Sequence, residues 1–320
     1  MPMIDMPLEK LYEYNGISPS PKDLDEFWDE NIKGLEDIEL NLEIVESEFK
    51  CLFAKCYHLY FTGTNGARIH AKFIKPNKIE GKIPALLEFH GYQGGSFDWS
   101  SKLVYAANGM CVAALDCRGQ AGLSQDVGGT LGITVKGHIV RGLQEGRDKL
   151  LYKDIFLDTV LLARIVMNLD FIDENRVGTM GGSQGGALAL ACAALEPRIK
   201  KVFAFYPFLC DFKRVWEMDL GGDAYDELKR YFKFIDPAHE TEEYVFNTLA
   251  YIDIQNLAHR IKAEVTMLTG LMDDICPPST QFAAYNKIKS SKNIIVFPEW
   301  GHESISYGLN DRIYNWSITI

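Results

Sequence analysis

The sequence predicts an α/β fold, in which a mostly parallel central sheet is covered by helices on both faces. Short apolar runs of strand length alternate with helical stretches along most of the chain. These runs are apolar at nearly every position, which is typical of parallel strands buried on both faces. Polar or glycine-containing turns follow the runs, at the strand ends where parallel α/β sheets carry their sites.

The first part of the chain is expected to form an N-terminal helical arm, over residues 1 to about 50. A proline and several acids fit a first helical turn ahead of Phe27 and Trp28, which share one helix face. Residues 57–63 and 69–75 alternate in polarity and flank an Asn-Gly turn. This pattern predicts an antiparallel hairpin at one edge of the sheet.

The remaining elements alternate as the fold requires, and the whole chain is interpreted as a single domain, 1–320. The strands predicted for the parallel part of the sheet are 83–89, 110–116, a run ending near 180, 201–206, 265–270 and 294–297. Helices are predicted over 153–169, 187–194 and 277–288, with a last one ending near 317. Residues 121 to about 150 are glycine-rich without an apolar period, which indicates a functional loop. Residues 208–258 are helical in character and rich in aromatics, and are interpreted as a helical cap insertion.

Charge and composition exclude several classes of partner. The net charge of −11 argues against nucleic acid and anionic membranes, because both bind basic surfaces. No apolar run approaches the roughly 20 residues of a membrane helix, and the start of the chain lacks the pattern of a signal peptide. Seven scattered cysteines without a CxxC pair indicate buried, reduced thiols and a cytoplasmic location. A disulfide between Cys51 and Cys56 is the alternative for that pair.

Neither a metal nor a cofactor is expected. The histidines and cysteines do not show zinc spacing. The glycine-rich run 181–186 is not followed by the Gly-Lys-Ser/Thr of a phosphate loop, and no GxGxxG opens a βαβ unit.

The segment Gly181-x-Ser183-x-Gly185 has the pattern of a nucleophile elbow. An elbow holds its serine on a sharp turn between a strand and a helix, and the close approach of the two elements requires glycine on either side. A glycine-rich turn with a buried serine is the alternative. The elbow, together with the alternating pattern, predicts the α/β-hydrolase fold.

A serine hydroxyl needs a base in contact with it, and the base needs an anion. In the α/β-hydrolase arrangement the chain order is Ser, then Asp or Glu, then His. Ser183, Asp273 and His302 follow this order, and each comes after a strand. Asp274 competes with Asp273 for the acid role, and either aspartate could instead cap the following helix.

Two backbone N–H groups are expected to form the oxyanion hole, from Gln184 after the serine and from Tyr92 in the loop after strand 83–89. Arg118 and Glu303 are interpreted as a supporting ion pair that joins two loops beside the site. Two unrelated exposed charges are the alternative for that pair.

The motifs around these residues resemble a known family. Arg118-Gly119-Gln120, the run 181–186, Gly270-Leu271-Met272-Asp273, Cys276 to Thr280, and His302-Glu303 together resemble the acetyl xylan esterase and cephalosporin C deacetylase group, carbohydrate esterase family 7. The resemblance covers nearly the whole chain. It implies that Asp273 is the acid, that Tyr92 and Gln184 supply the oxyanion hole, and that Arg118, Gln120 and Glu303 have supporting roles.

The resemblance further implies a serine esterase that hydrolyses acetyl esters of short xylooligosaccharides and of cephalosporin C through an acetyl-enzyme. It implies a cytoplasmic homo-hexamer, a trimer of dimers whose sites open to an inner cavity. Ser304-Ile305-Ser306 departs from the glycine-richer continuation expected after His302-Glu303. A general carboxylesterase or serine peptidase of the same fold is the alternative function, and a non-catalytic ligand-binding relative is the second.

Overall fold

A computed structural model describes residues 4–132, 136–220, 222–303 and 307–320, with the backbone alone at Asp223. Residues 304–306, where the sequence departs from the expected glycine-richer continuation, lie outside the described ranges. All seven cysteines are free thiols, and six of them are buried. In the described part of the chain, no helix has both the length and the apolarity needed to cross a membrane.

The described residues form a nine-stranded sheet with the order β1-β2-β3-β5-β4-β6-β7-β8-β9. The strands are β1 (Glu43–Glu46), β2 (Ala54–Thr62), β3 (Arg68–Pro76), β4 (Ile83–Phe89), β5 (Cys111–Leu115), β6 (Ile172–Gly182), β7 (Lys201–Phe205), β8 (Glu264–Gly270) and β9 (Lys292–Phe297). Pairing is antiparallel from β1 through β3 to β5, and parallel from β5 to β9. The chain moves from β4 outward to β5 and then returns to β6 on the other side of β4. This reversal places a topological switch point between β4 and β6, where such folds hold their ligands.

The helices are α1 (Leu8–Glu13), α2 (Leu24–Gly34), α3 (Leu103–Ala107), α4 (Leu151–Met167), α5 (Gln184–Leu195), α6 (Phe212–Met218), α7 (Gly222–Phe234), α8 (Glu242–Leu249), α9 (Ile254–Leu257), α10 (Pro278–Lys287) and α11 (Leu309–Ser317). Helices α6 to α9 lie between β7 and β8, within the predicted cap insertion. The predicted arm contains α1 and α2, and Trp28 of α2 is buried with its indole N–H donating to the Tyr251 carbonyl at 2.9 Å.

The sheet is covered on both faces, as predicted. On β4, Leu87 packs with α4 and α5 in the larger core, whereas Leu86 packs with α3 and α11 in a second core. The near-continuous apolarity of this strand follows from burial on both sides. The fold class predicted from the sequence is therefore confirmed.

The predicted element boundaries agree with the structure closely, with one omission. Strand β1 pairs with β2 at the outer edge of the sheet, and its four residues are exposed. A short exposed strand carries no apolar alternation, so its residues were expected only as part of the arm. Residues 121–150 contain only short 3₁₀ turns in their described part.

Candidate active site

The turn after β6 has the geometry of a nucleophile elbow. Ser183 has φ 57° and ψ −120°, which is a strained conformation for a residue with a side chain. A Cβ on Gly181 would lie 2.5 Å from the Gly185 backbone, and one on Gly185 would lie 2.0 Å from the Phe89 carbonyl oxygen. Neither position has room for a side chain, because β4, β6 and α5 meet there.

The structure brings together the three residues predicted from chain order. His302 Nε2 lies 2.9 Å from Ser183 Oγ, and His302 Nδ1 lies 2.9 Å from Asp273 Oδ2. A carboxylate only accepts hydrogen bonds, so Nδ1 carries the proton and Nε2 is free to accept from the serine hydroxyl. The His302 ring packs against Tyr206, with ring centroids 4.6 Å apart.

Four hydrogen-bond donors converge on the Asp273 carboxylate, which is completely buried. Oδ1 accepts from the backbone N–H groups of Ile275 and Cys276, at 3.0 and 2.7 Å. Oδ2 accepts from His302 and, at 3.2 Å, from the side-chain amide of Gln281 on α10. Asp274, the competing candidate, is exposed.

The two backbone N–H groups predicted for the oxyanion hole have no acceptor in the described part of the protein. Neither the Tyr92 nor the Gln184 backbone N–H donates to any residue that the structure describes. Gln184 opens α5, so its N–H is one of the free donors at a helix start, where negative charge is favoured. Tyr92 follows β4, the strand beside β6.

The side chain of Tyr92 is held by a residue that the sequence did not indicate. Its hydroxyl donates to Glu227 Oε1 at 2.5 Å, and Glu227 lies on α7 and is 1% exposed. Glu227 Oε2 accepts from the backbone N–H groups of Ile139 and Val140, at 2.5 and 3.0 Å. Burial raises the pKa of Glu227 to about 7, although the hydrogen bonds from these donors partly offset the rise by lowering the pKa. A helix of the cap region thus anchors the loop that carries the Tyr92 N–H.

The side chains of Gln120 and Gln184 are hydrogen-bonded to each other. Their side-chain amides exchange two hydrogen bonds, at 2.8 and 3.1 Å. Gln184 Oε1 also accepts from the buried Tyr152 hydroxyl at 2.7 Å, and Gln120 Oε1 accepts from the Gln93 N–H at 2.8 Å. The amide of Gln120 therefore joins the loop after β5 to the loop after β4 and to the start of α5.

The prediction that Arg118 forms an ion pair with Glu303 is wrong, because the structure pairs Arg118 with an aspartate on α4. Arg118 is 1% exposed and donates from Nε and Nη2 to the two oxygens of Asp158 on α4, at 2.5 and 2.7 Å. Asp154, one turn earlier, lies 3.8 Å from Nη1. A planar guanidinium fits a carboxylate through two parallel bonds, and the buried helix face offers one, whereas Glu303 is exposed.

Ser183 and His302 open into a cavity of about 650 Å³ at the carboxyl edge of the sheet. Its lining includes Tyr92, Phe97 and Ile275. Among the described residues, no group of three or more His, Cys, Asp or Glu side chains is placed to hold a metal ion.

A serine on an elbow between central strands, with a histidine and an aspartate after later strands, defines this chain as an α/β-hydrolase. The chain matches the acetyl xylan esterase family (AXE1) over residues 1–320. It therefore belongs to the acetyl xylan esterase family, which places it among the carboxylic ester hydrolases.

Solved structures and a curated relative agree with this assignment. The chain is similar to acetyl xylan esterase 1 from Thermoanaerobacterium sp. JW/SL YS485, with 55% identity, a TM-score of 0.96 and 99% of both chains covered. It is also similar to the acetyl xylan esterase from Paenibacillus sp. R4, with 34% identity, a TM-score of 0.92 and 98% and 99% covered. It is 28% identical to acetyl esterase Axe7A of Xylanibacter ruminicola over 286 residues, 87% of this chain. The chain spans 63% of that protein's length, less than two thirds.

Proposed function

We propose that this chain is a serine esterase that removes acetyl groups from short xylooligosaccharides and from cephalosporin C. The observation that carries the proposal is the continuous hydrogen-bonded chain from Ser183 through His302 to the buried Asp273. Ser183, His302 and Tyr92 line one cavity, and the backbone N–H groups of Tyr92 and Gln184 donate to none of the described residues. The two solved relatives are acetyl xylan esterases, which supports the substrate class.

The reaction follows from the roles of these groups. His302 takes the Ser183 proton as Oγ attacks the acetyl carbonyl, and Asp273 stabilises the resulting imidazolium. The N–H groups of Tyr92 and Gln184 receive the oxyanion. As the intermediate collapses, the bond to the sugar oxygen breaks and His302 gives its proton to that oxygen. Water, deprotonated by His302, then hydrolyses the acetyl-enzyme and releases acetate.

The central test is acetate release from acetylated xylobiose and from cephalosporin C. Ser183→Ala and His302→Ala should each lower kcat/KM by about 10³ to 10⁶, because members of a triad act as a unit. Ser290→Ala is a matched control, since Ser290 bonds the Ala263 carbonyl close to the start of β8, at the opposite edge of the sheet. A Ser183→Ala protein that kept its rate would refute the proposal.

The alternatives give different results in the same assays. Faster cleavage of butyrate and longer esters, or of peptides, than of acetates would favour a general carboxylesterase or a peptidase. A wild-type protein whose Ser183 does not react with an organophosphonate probe would be a ligand-binding relative.

We also infer a homo-hexamer, a trimer of dimers, in the cytoplasm. Exposed apolar side chains on and near the edge strand β1 support self-association; they are Leu42, Ile44, Val45, Phe49, Leu52 and Phe53. Free thiols throughout the chain support a reducing compartment. Native mass should be six times the chain mass and should fall in Leu52→Asp, whose wild-type side chain is 99% exposed. A native mass equal to one chain would contradict the hexamer.

A further inference from the structure

A carboxylate stands on a central strand of the sheet, where apolar side chains are the rule. Leu86 of β4 packs in the core that α3 and α11 form against the sheet, and Glu88, two residues further, faces the same side. Its side chain is 19% exposed. Burying a charge in this position is costly unless the charge is paired, so the carboxylate needs a partner and its presence needs a functional explanation.

The partner of Glu88 is a fully buried lysine. Lys102 Nζ lies 3.3 Å from Glu88 Oε1 and also donates to the Ser101 hydroxyl at 3.2 Å and the Asp98 carbonyl at 3.4 Å. Glu88 Oε2 makes no hydrogen bond to any residue in the described ranges. Buried ion pairs contribute little net stability compared with apolar residues of the same size, so stability alone does not account for this pair.

The wall around Glu88 belongs to the cavity that contains Ser183. Glu88, Ser101, Tyr105 and Asn310 line that cavity, with Ser101 and Asn310 exposed to solvent, and we call these four residues together with Lys102 the inner subsite. Within the described chain, the Tyr105 hydroxyl and the Asn310 side-chain amide make no hydrogen bond to protein. The subsite thus offers an acceptor, a hydroxyl and an amide that are all free to bind a ligand.

The distance between the inner subsite and the serine suits a saccharide ester. Glu88 is directly opposite Met180 in the parallel pairing of β4 and β6, and Ser183 is three residues beyond Met180. At the rise of an extended strand, the backbone positions of Glu88 and Ser183 are separated by roughly 10 Å along the sheet. One sugar ring with its ester group fills such a gap, and Met180 and Ile313 provide apolar surface along it.

We propose that the inner subsite binds the hydroxyl groups of the saccharide that carries the acetyl ester, with Glu88 as their main acceptor. The Lys102 ammonium fixes one oxygen of the carboxylate, which leaves Oε2 to accept from a sugar hydroxyl. Tyr105 and Asn310 bind further hydroxyls of the same ring. This inference rests on the proposed function, since it names the residues that recognise the saccharide part of that substrate.

The test compares a saccharide ester with an acetyl ester that has no hydroxyl groups. The measured quantity is the kcat/KM for acetylated xylobiose divided by that for p-nitrophenyl acetate. Loss of a charge-assisted hydrogen bond should lower this ratio about tenfold in the double variant Glu88→Leu/Lys102→Met, which leaves no orphaned charge. Glu88→Gln, which keeps an uncharged acceptor, should lower the ratio about threefold.

A second measurement separates this inference from the proposed function. Unacetylated xylobiose should inhibit the cleavage of p-nitrophenyl acetate competitively, and its inhibition constant should rise about tenfold in the double variant. If the wild-type protein releases no acetate from the saccharide but is still inhibited by xylobiose through Glu88, the proposed function fails and the subsite stands.

The control variant is Glu43→Gln, which removes an exposed carboxylate paired with Arg68 at 2.6 Å. It should leave the substrate ratio and the inhibition constant unchanged. Equal losses on both substrates together with a lower Tm would give the Glu88–Lys102 pair a purely structural role and overturn the inference. Inhibition by an alkylamine but not by xylobiose would assign the subsite to a cation, and would overturn it as well.

Discussion

Replacing Asp273 by asparagine should disable the proposed catalytic base, although the asparagine side chain has the same shape and the same number of heavy atoms. Two oxygens of Asp273 face four donors, so an amide NH₂ must face two of them. If it faces the N–H groups of Ile275 and Cys276, the clash cannot be relieved, because backbone donors cannot change. We therefore expect the NH₂ group at the Oδ2 position, opposite His302.

The imidazole can relieve that clash only by changing its tautomer. Nδ1 then accepts from the amide and Nε2 carries the proton, which it donates to Ser183 Oγ, 2.9 Å away. A protonated Nε2 cannot accept the serine proton, so the nucleophile is not activated. The corresponding change in a serine protease costs about 10⁴ in kcat, and we expect a similar loss here.

The assay is kcat/KM for p-nitrophenyl acetate, with Tm measured on the same samples to establish that Asp273→Asn is folded. Asp274→Asn is the matched control, because Asp274 is adjacent and exposed; its rate should stay within about twofold of wild type. A folded Asp273→Asn that keeps more than a tenth of the wild-type rate would refute the tautomer argument. An equal loss in Asp274→Asn would refute the choice of acid.

Three further changes act on stability and can be measured by urea unfolding. Gly185→Ala should cost at least about 2 kcal/mol, because its Cβ would lie 2.0 Å from the Phe89 carbonyl oxygen; an unchanged midpoint would contradict the packing at the elbow. Arg118→Met should cost about 3–5 kcal/mol by leaving the buried Asp158 carboxylate unpaired, and Asp158→Asn in the same chain should recover part of the loss. The pKa of Glu227 is raised to about 7 in the folded state, so the native protein holds this proton between about pH 4.5 and 7 while the unfolded chain releases it. Its contribution to the free energy of unfolding therefore falls as the pH rises from about 4.5 through 7. Glu227→Gln, which mimics the protonated acid, should be about 3 kcal/mol more stable than wild type at pH 8 and equal at pH 4; a constant difference would contradict this.

It could be predicted from the sequence that Ser183, Asp273 and His302 meet, because their placement follows from the topology of the sheet. In a parallel sheet every strand delivers its carboxyl end to the same edge, so residues 90 and 29 positions apart in the chain meet there. The same logic placed Tyr92 and Gln184 around the serine. Strand order and chain order sufficed for these residues except the acid, and no side-chain packing had to be known. For the acid they left Asp274 open, and the family resemblance implied Asp273.

The partners of Arg118 and Tyr92 could not be found in this way, because they lie on helices. Asp158 is an acid within a long apolar helix, and Glu227 is an acid in a helix whose basic residues, Lys229, Arg230 and Lys233, are exposed. Which helix face is buried, and against which loop, depends on how the helices pack on the sheet. Glu303 was expected to pair with Arg118 because both residues belong to motifs near the site. Membership in a motif, however, carries no information about whether a side chain is buried.

Both hidden carboxylates have the same physical role, which is to hold a loop that has no regular structure of its own. The loop after β5 is fixed through Arg118 by Asp158, and the loop after β4 is fixed through Tyr92 by Glu227. The Arg118–Asp158 bonds are buried and the Tyr92–Glu227 bond is partly buried, so water competes little for either. An oxyanion hole stabilises charge only if its donors are already aligned before the reaction. The alignment of the Tyr92 N–H therefore depends on a carboxylate on α7, so the helices between β7 and β8 support the proposed chemistry as well as bounding the cavity.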